Sequence, residues 1–181
     1  MELDPDEISE IRSGWFDVSR SREMAIGLFY GRLFQIAPRA QALFGPDMAA
    51  QGRKLAEMLD QIIRKLERPD QLSLDAAELA RRHARYGVRP EHYDQVGAAL
   101  IWMLGRVLGD GFSPAQRAAW AHAYSALSAE MIAAAYPDRP ASGPVAAEGR
   151  APGPASPLRV GLGGGENPRA GGEIGAADTK P

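Results

Sequence analysis

The chain has 181 residues, a formal net charge of -2 and no cysteine. This length suits one domain of ordinary size, or one domain with a tail. The lack of cysteine excludes disulfides, zinc–thiolate sites, iron–sulfur clusters and thiol nucleophiles, and the small net charge gives no general attraction to nucleic acid.

The start of the chain, MELDPDEISE, is acidic and contains no apolar signal core. No apolar run approaches the ~20 residues that a membrane-spanning helix needs. We therefore expect a cytoplasmic protein with no membrane and no nucleic-acid partner.

Apolar residues recur at three- and four-residue spacing through the first half of the chain, which is typical of amphipathic helices. A first helix is predicted from Asp4-Pro5, with acidic residues in its first turn. A second begins at Ser21 and is interrupted at Ala37-Pro38. A short helix then runs from Pro38 to Leu43.

The second half continues the pattern. The third long helix has the clearest stripe and is predicted to run until Pro69, and a shorter helix capped by Ser73 follows it. Tyr86-Gly87 ends that helix and Pro90 starts the next. Ser113-Pro114 with Gln116 resembles a capping box and starts the last helix. With no strand-like alternation, the sequence predicts an all-α fold of six long helices and one or two short ones.

Residues 138–181 have a different composition. They contain half of the chain's 20 glycines and 14 prolines, and no aromatic residue. Such a segment buries too little apolar surface to offset its ordering entropy. We expect a folded domain over residues 1–137 and a disordered Gly/Pro-rich tail over residues 138–181.

Histidines are the candidate metal ligands of this chain. Leu79 and His83 lie four residues apart, so His83 is predicted on the apolar face of its helix. A histidine there is either a hydrogen-bonded core residue or an axial ligand of a metal or haem, and periodicity does not decide between them. His92 and His122 are predicted to be surface residues, and no motif for Ser/His/Asp catalysis or phosphate binding is present.

Several segments, in this order, resemble the globins. The resemblance covers nearly all of residues 5–136, and its later segments are similar to neuroglobin and to bacterial single-domain globins. The matching segments are Trp15, Leu28-Phe29-Tyr30, Leu33-Phe34, Pro38 with Leu43-Phe44, Gln51 with Arg53-Lys54-Leu55, RRHARYGV (81–88), HYDQVG (92–97) and LGDGFSPAQRAAWAHAYSAL (108–127).

The resemblance implies a globin fold around a non-covalent haem b (iron protoporphyrin IX). His83 would be the proximal ligand of its iron, and Phe44 would contact the haem on the other side. Tyr30, Gln51 and Leu55 would form the distal pocket. Lys54 would pair with a haem propionate, or would be a solvated surface lysine. The rest of the cavity would be lined by Leu79, Val88, Tyr93, Val96 and Tyr124.

The distal residues imply a ligand-binding function. Gln51 stands where neuroglobin has a histidine that ligates the iron, so the sixth coordination position is expected to be open. The Tyr30 and Gln51 pair is similar to that of bacterial haemoglobins and flavohaemoglobins, where hydrogen bonds to dioxygen contribute on the order of 1–3 kcal/mol each. Alternatively, Tyr30 is a core tyrosine whose hydroxyl bonds to the backbone.

The resemblance implies dioxygen, nitric oxide or carbon monoxide as ligands. The globin would bind dioxygen reversibly, or would convert nitric oxide to nitrate with electrons from a separate reductase. The glutamate that supports peroxidase-like chemistry in bacterial haemoglobins corresponds to Ala135 here, which weakens that activity, and Glu130 does not replace it. A gas or redox sensor that signals to a partner, and a helical module that has lost haem, are the alternatives.

Overall fold

The computed structural model describes residues 2–138. That part of the chain contains six α-helices and two short 3-10 helices, so the predicted all-α architecture is confirmed. The α-helices are α1 (Pro5–Ser19), α2 (Arg22–Ile36), α3 (Met48–Arg64), α4 (Pro69–Arg85), α5 (Pro90–Leu108) and α6 (Pro114–Ala135), and the 3-10 helices are Pro38–Leu43 and Gly109–Gly111. The predicted tail, apart from Asp138, lies outside the described residues.

Prolines and short polar side chains set most helix starts. Proline occupies the first turn of α1, α4, α5 and α6, where its missing N–H removes no helical hydrogen bond. Asp4 accepts from the N–H of Glu7, and Ser113 from that of Gln116. The starts of α1, α5 and α6 agree with the sequence analysis, as does the short helix at Pro38.

The start of α4 is where the prediction was wrong. The helix begins at Pro69 rather than at Ser73, and α3 ends already at Arg64. Pro69 therefore begins a helix instead of terminating one, with Asp70 in the first turn. Ser73 lies inside the helix, and its hydroxyl donates to the Glu130 carboxylate at 2.8 Å instead of capping.

Two clusters of buried side chains hold the helices together. The larger one joins α1, α2, α5 and the first half of α6, with Leu33, Leu104 and Trp120 among its members. The smaller one lies between α4 and the second half of α6 and is centred on Ala76, Ala80, Val88, Tyr93 and Met131. Because alanines on α4 carry much of that second contact, α4 can approach α6 closely.

One carboxylate ties three helices together. Asp60 on α3 accepts a hydrogen bond from the indole N–H of Trp15 on α1 at 2.6 Å. Its other oxygen accepts from Arg22 on α2 at 2.9 Å.

No helix of the described residues is long and apolar enough to cross a membrane.

The crossing of α2 and α3 depends on a glycine. A Cβ atom at Gly52 would lie 2.5 Å from Cγ2 of Ile26, which is far inside van der Waals contact. The two helices can be this close only because Gly52 has no side chain. The crossing brings the beginning of α3, with Gln51 and Leu55, next to Tyr30 on α2.

We predict that Gly52→Ala lowers the free energy of unfolding by about 1–3 kcal/mol, because the new methyl group overpacks the crossing. The matched control is Gly27→Ala on α2, where nothing lies within 4 Å of the added Cβ. That substitution should raise stability by about 0.5–1 kcal/mol through helix propensity. Urea unfolding of both variants measures the difference, and equal effects would contradict the close crossing.

Candidate functional site

His83 is held on the inner side of α4 by a hydrogen bond to its own helix. Its Nδ1 lies 2.9 Å from the backbone oxygen of Leu79. A carbonyl oxygen only accepts, so Nδ1 carries the proton and Nε2 has the free lone pair. Burial, followed by the charge of Arg82, lowers the pKa of His83, although the bond to Leu79 raises it. The ring is therefore neutral near pH 7, the form in which imidazole binds a metal.

The His83 ring lies on the wall of an apolar cavity that opens to the surface. No Asp, Glu, Lys or Arg lines it within the described residues. The wall is formed mainly by apolar side chains of α2 to α6, including Phe29, Leu55, Met58, Leu59, Ile62, Leu100, Met103, Leu127 and Met131. Such a space suits a flat, mostly apolar cofactor that needs few polar partners.

Seven of the eleven predicted site residues line this cavity, and four do not. The residues on the wall are His83, Leu55, Leu79, Val88, Tyr93, Val96 and Tyr124. Tyr30, Phe44 and Gln51 lie beside it in a separate aromatic cluster. Lys54 lies on a neighbouring groove.

The aromatic cluster brings the predicted distal residues together. The ring of Tyr30 packs edge-on against Phe29 and Phe44, with centroids 5.1 and 5.4 Å apart. Its hydroxyl donates to the backbone oxygen of Gln51 at 3.5 Å, at the long limit of a hydrogen bond. Burial raises the pKa of Tyr30 to about 12, so the phenol keeps its proton at neutral pH.

The groove that contains Lys54 opens between α3 and α4. It shares Met58, Ile62, Leu79, Leu127 and Met131 with the cavity wall, so the two spaces are neighbours. Lys54, Lys65 and Arg82 line it together with Asp75 and Glu78. Lys65 pairs with Asp75 and Arg82 with Glu78, so most of this charge is compensated within the groove. Lys54 nevertheless places a cation at the edge of an otherwise uncharged cavity.

Tyr93 and Tyr124 form the cavity wall beside His83, where α5 meets α6. The Tyr124 hydroxyl donates to the backbone oxygen of Tyr93 at 2.6 Å. Gly97 makes room for this ring, because a Cβ there would lie 2.5 Å from Cε1 of Tyr124. The Tyr93 ring centroid is 6.5 Å from that of His83, and its buried hydroxyl has no hydrogen-bond partner among residues 2–138. Burial raises the pKa of Tyr93 to about 12.

His92 is a site residue that the sequence analysis missed. It was predicted on the surface, but it is half-buried and lines the cavity. Its Nδ1 accepts a hydrogen bond from the backbone N–H of Arg89 at 3.0 Å. This bond directs the ring back over the start of α5. The signal was available, because Pro90 at the first helical position makes His92 the third residue, whose side chain often bonds back to the residue before the helix.

The prediction that His122 is a surface residue agrees with the structure. His122 is exposed, with Nδ1 2.7 Å from a Glu7 carboxylate oxygen. Glu130 accepts from Ser73, and Ala135 is the last residue of α6. Among residues 2–138, no group of three or more His, Asp or Glu side chains is arranged to hold a metal ion. His83 is thus the candidate ligand that combines a free lone pair with the apolar cavity.

Comparison with known proteins identifies the class of protein that this fold and cavity define. The family model described as Globin matches residues 27–131, which is more than half of the chain. The chain belongs to the globin family.

Individual relatives fall into two groups. The flavohemoprotein of Rhizobium meliloti (strain 1021) is 35% identical over 103 residues, which cover 55% of this chain and 26% of that protein. Neuroglobin of Tetraodon nigroviridis is 25% identical over 135 residues, covering 67% of this chain and 85% of that protein. The chain thus spans about a quarter of the length of the flavohemoproteins that it matches, and most of neuroglobin.

The fold has a counterpart among solved structures. The crystal structure of a hexacoordinated heme protein from an anhydrobiotic tardigrade at pH 4 aligns with a TM-score of 0.67. The alignment covers 74% of this chain and 95% of that chain, at 16% sequence identity. It confirms the globin fold of the described residues.

We predict opposite effects of removing the two tyrosine hydroxyls beside His83 in the cofactor-free protein. Tyr124→Phe should lower the free energy of unfolding by about 1–2 kcal/mol, because it removes the hydrogen bond that the Tyr124 hydroxyl donates to the Tyr93 carbonyl. Tyr93→Phe should leave stability unchanged or raise it by about 0.5 kcal/mol, since its hydroxyl makes no bond to lose. Urea unfolding measures both, and a larger loss for Tyr93→Phe would refute this arrangement.

Proposed function

We propose that this globin holds haem b non-covalently in the apolar cavity and binds dioxygen reversibly. The observation that carries the proposal is the neutral His83 ring on the cavity wall, with Nδ1 bonded to Leu79 and the lone pair of Nε2 free. An imidazole held in this way is suited to be the axial ligand of haem iron.

The apolar, uncharged lining of the cavity suits the cofactor. When bound, haem supplies an iron atom at which dioxygen, nitric oxide or carbon monoxide is held. The aliphatic wall around Leu55, Leu79 and Val96 would exclude water from the porphyrin faces. Lys54 at the groove between α3 and α4 would pair with a propionate, as a charge-assisted hydrogen bond.

Tyr30 and Gln51 would supply the polar contacts to the gas. The bond from the Tyr30 hydroxyl to the Gln51 backbone oxygen is long, so exchanging it for a stronger acceptor costs little. Bound dioxygen is such an acceptor, because it carries partial negative charge. The Gln51 amide is a poor iron ligand, which leaves the sixth position open. Both residues remain buried, so their dipoles act without competition from bulk water.

A second candidate function is the dioxygenation of nitric oxide. One nitric oxide, one dioxygen and one electron give one nitrate ion, and the electron would come from a separate reductase. Two observations support this proposal: the Tyr30 and Gln51 pair, and the similarity to flavohemoproteins over the globin part of their length. Gas sensing has no comparable support among the described residues.

We predict that His83→Ala abolishes stable haem binding, because the cavity loses its axial ligand. His122→Ala is the control, since His122 is exposed and does not line the cavity. Haem stoichiometry after gel filtration measures the effect. Full haem retention by His83→Ala would overturn the proposed ligation.

Visible spectra of the same haem-loaded protein test the open site. The reduced protein should show one broad visible band that splits into two with dioxygen, as five-coordinate haem does. Sharp paired bands in the reduced protein would reveal a second protein ligand on the iron, and the proposed open pocket would be wrong.

We predict that Tyr30→Phe speeds dioxygen dissociation at least about tenfold, since about 1.4 kcal/mol of hydrogen bonding corresponds to that factor. Carbon monoxide carries less negative charge when bound, so its dissociation should change much less. Tyr124→Phe is a matched control, because it removes a hydroxyl that bonds to backbone elsewhere. Stopped-flow ligand displacement measures both dissociation rates. An unchanged dioxygen dissociation rate would show that Tyr30 makes no hydrogen bond to the bound dioxygen.

A further inference from the structure

A concentration of arginine lies at the end of α4. Residues 79–90 contain four arginines and no acidic residue, although the whole chain has a net charge of -2. Arg82 is bonded to Glu78, and Arg89 lies 3.9 Å from Glu91. Arg81 and Arg85 are exposed and form no ion pair with any residue of 2–138. Two positive charges on this surface are thus uncompensated.

Arg81, Arg85 and Arg89 are all exposed, and we call these three residues the arginine face. Arg81 and Arg85 are four residues apart and therefore lie one above the other on α4. The helix dipole accounts for a cation in the last turn, but Arg81 is a turn earlier and Arg89 lies beyond the helix end. Helix stability alone therefore does not explain the whole set.

The arginine face lies directly outside His83. Arg81 and Arg85 each stand two residues from His83, whose ring lies on the opposite, inner side of the same helix. A helix with its side chains is about 10 Å across. A protein bound to the arginine face therefore comes within about one helix thickness of the ring. Electron transfer needs such proximity, because its rate falls steeply with distance.

We infer that the arginine face docks an acidic electron-donor protein, one whose own redox cofactor is surrounded by Asp and Glu side chains. This inference rests on the proposed function, because the donor would pass one electron through the α4 region to ferric haem iron ligated by His83. The donor is oxidised by one electron and the iron is reduced to the ferrous state.

Charge complementarity favours an acidic redox protein as the partner of the arginine face. Weak redox encounters bury less than about 1,200 Å² and depend on electrostatic steering, so a few exposed arginines suffice. Nucleic acid is a poorer fit, since tight phosphate binding uses about 6–10 basic contacts and the overall charge is negative.

The test is reduction of the full, haem-loaded ferric chain by reduced flavodoxin, an acidic donor, followed by stopped-flow absorbance. The variant is Arg81→Gln/Arg85→Gln. The control is Arg106→Gln/Arg117→Gln, which removes two exposed arginines stacked on Trp102 and Phe112. Arg106 lies at the end of α5 opposite to Arg89, and this helix is roughly 28 Å long. Arg117 lies in the first turn of α6, which follows that end of α5.

At low salt, the Arg81→Gln/Arg85→Gln variant should be reduced about tenfold more slowly than the native chain, and the control within about twofold. Near 1 M salt the difference should vanish, because the screening length falls to about 3 Å. Equal rates for the two variants would overturn the inference. So would binding of a fluorescent single-stranded oligonucleotide that only the Arg81→Gln/Arg85→Gln variant loses, since the face would then serve nucleic acid.

Dithionite separates this inference from the proposed function. If every variant holds haem, is fully reduced by dithionite and then binds dioxygen, but flavodoxin reduces all of them equally, only the docking inference fails. If the native chain does not hold haem or bind dioxygen after reduction, both fail together.

Discussion

The hydrogen bond from Nδ1 of His83 to the Leu79 carbonyl is the interaction on which the candidate site depends. It fixes the tautomer, the ring orientation and the availability of Nε2 at the same time. The bond links residues four apart on one helix, so it forms whenever α4 forms. The position of α4 against α6 then decides what the ring faces, and that position rests on small residues such as Ala76 and Ala80.

Much of the fold could be predicted from local signals. Proline at the first helical position and short polar caps marked the starts of α1, α5 and α6, and the apolar stripe of α3 marked its inner face. The role of Pro69 was predicted wrongly because proline can either follow the end of a helix or begin one. The turn of residues 65–68 contains no glycine that would mark the end of α3 before Pro69. His83 was placed on an inner face by spacing alone, but its tautomer required the distance to Leu79.

The distal side shows why spacing does not determine a site. Tyr30 and Gln51 are 21 residues apart, and their contact depends on how closely α2 crosses α3 at Gly52. A different crossing would change the distance between the Tyr30 hydroxyl and the Gln51 carbonyl. The position of His92 likewise depends on a side-chain bond to Arg89. Such details follow from tertiary geometry, which periodicity does not encode.

The two clusters of buried side chains imply unequal stability within the molecule. The larger cluster and the Asp60 bonds join the N-terminal helices and α5, whereas α4 is attached mainly through the smaller, alanine-rich cluster. Regions with few buried apolar contacts open at lower free energy than the whole domain. The amide hydrogens of α4 should therefore exchange with solvent before those of α5. Separation of α4 alone, with the rest of the core intact, would then be the route by which a cofactor enters and leaves the cavity.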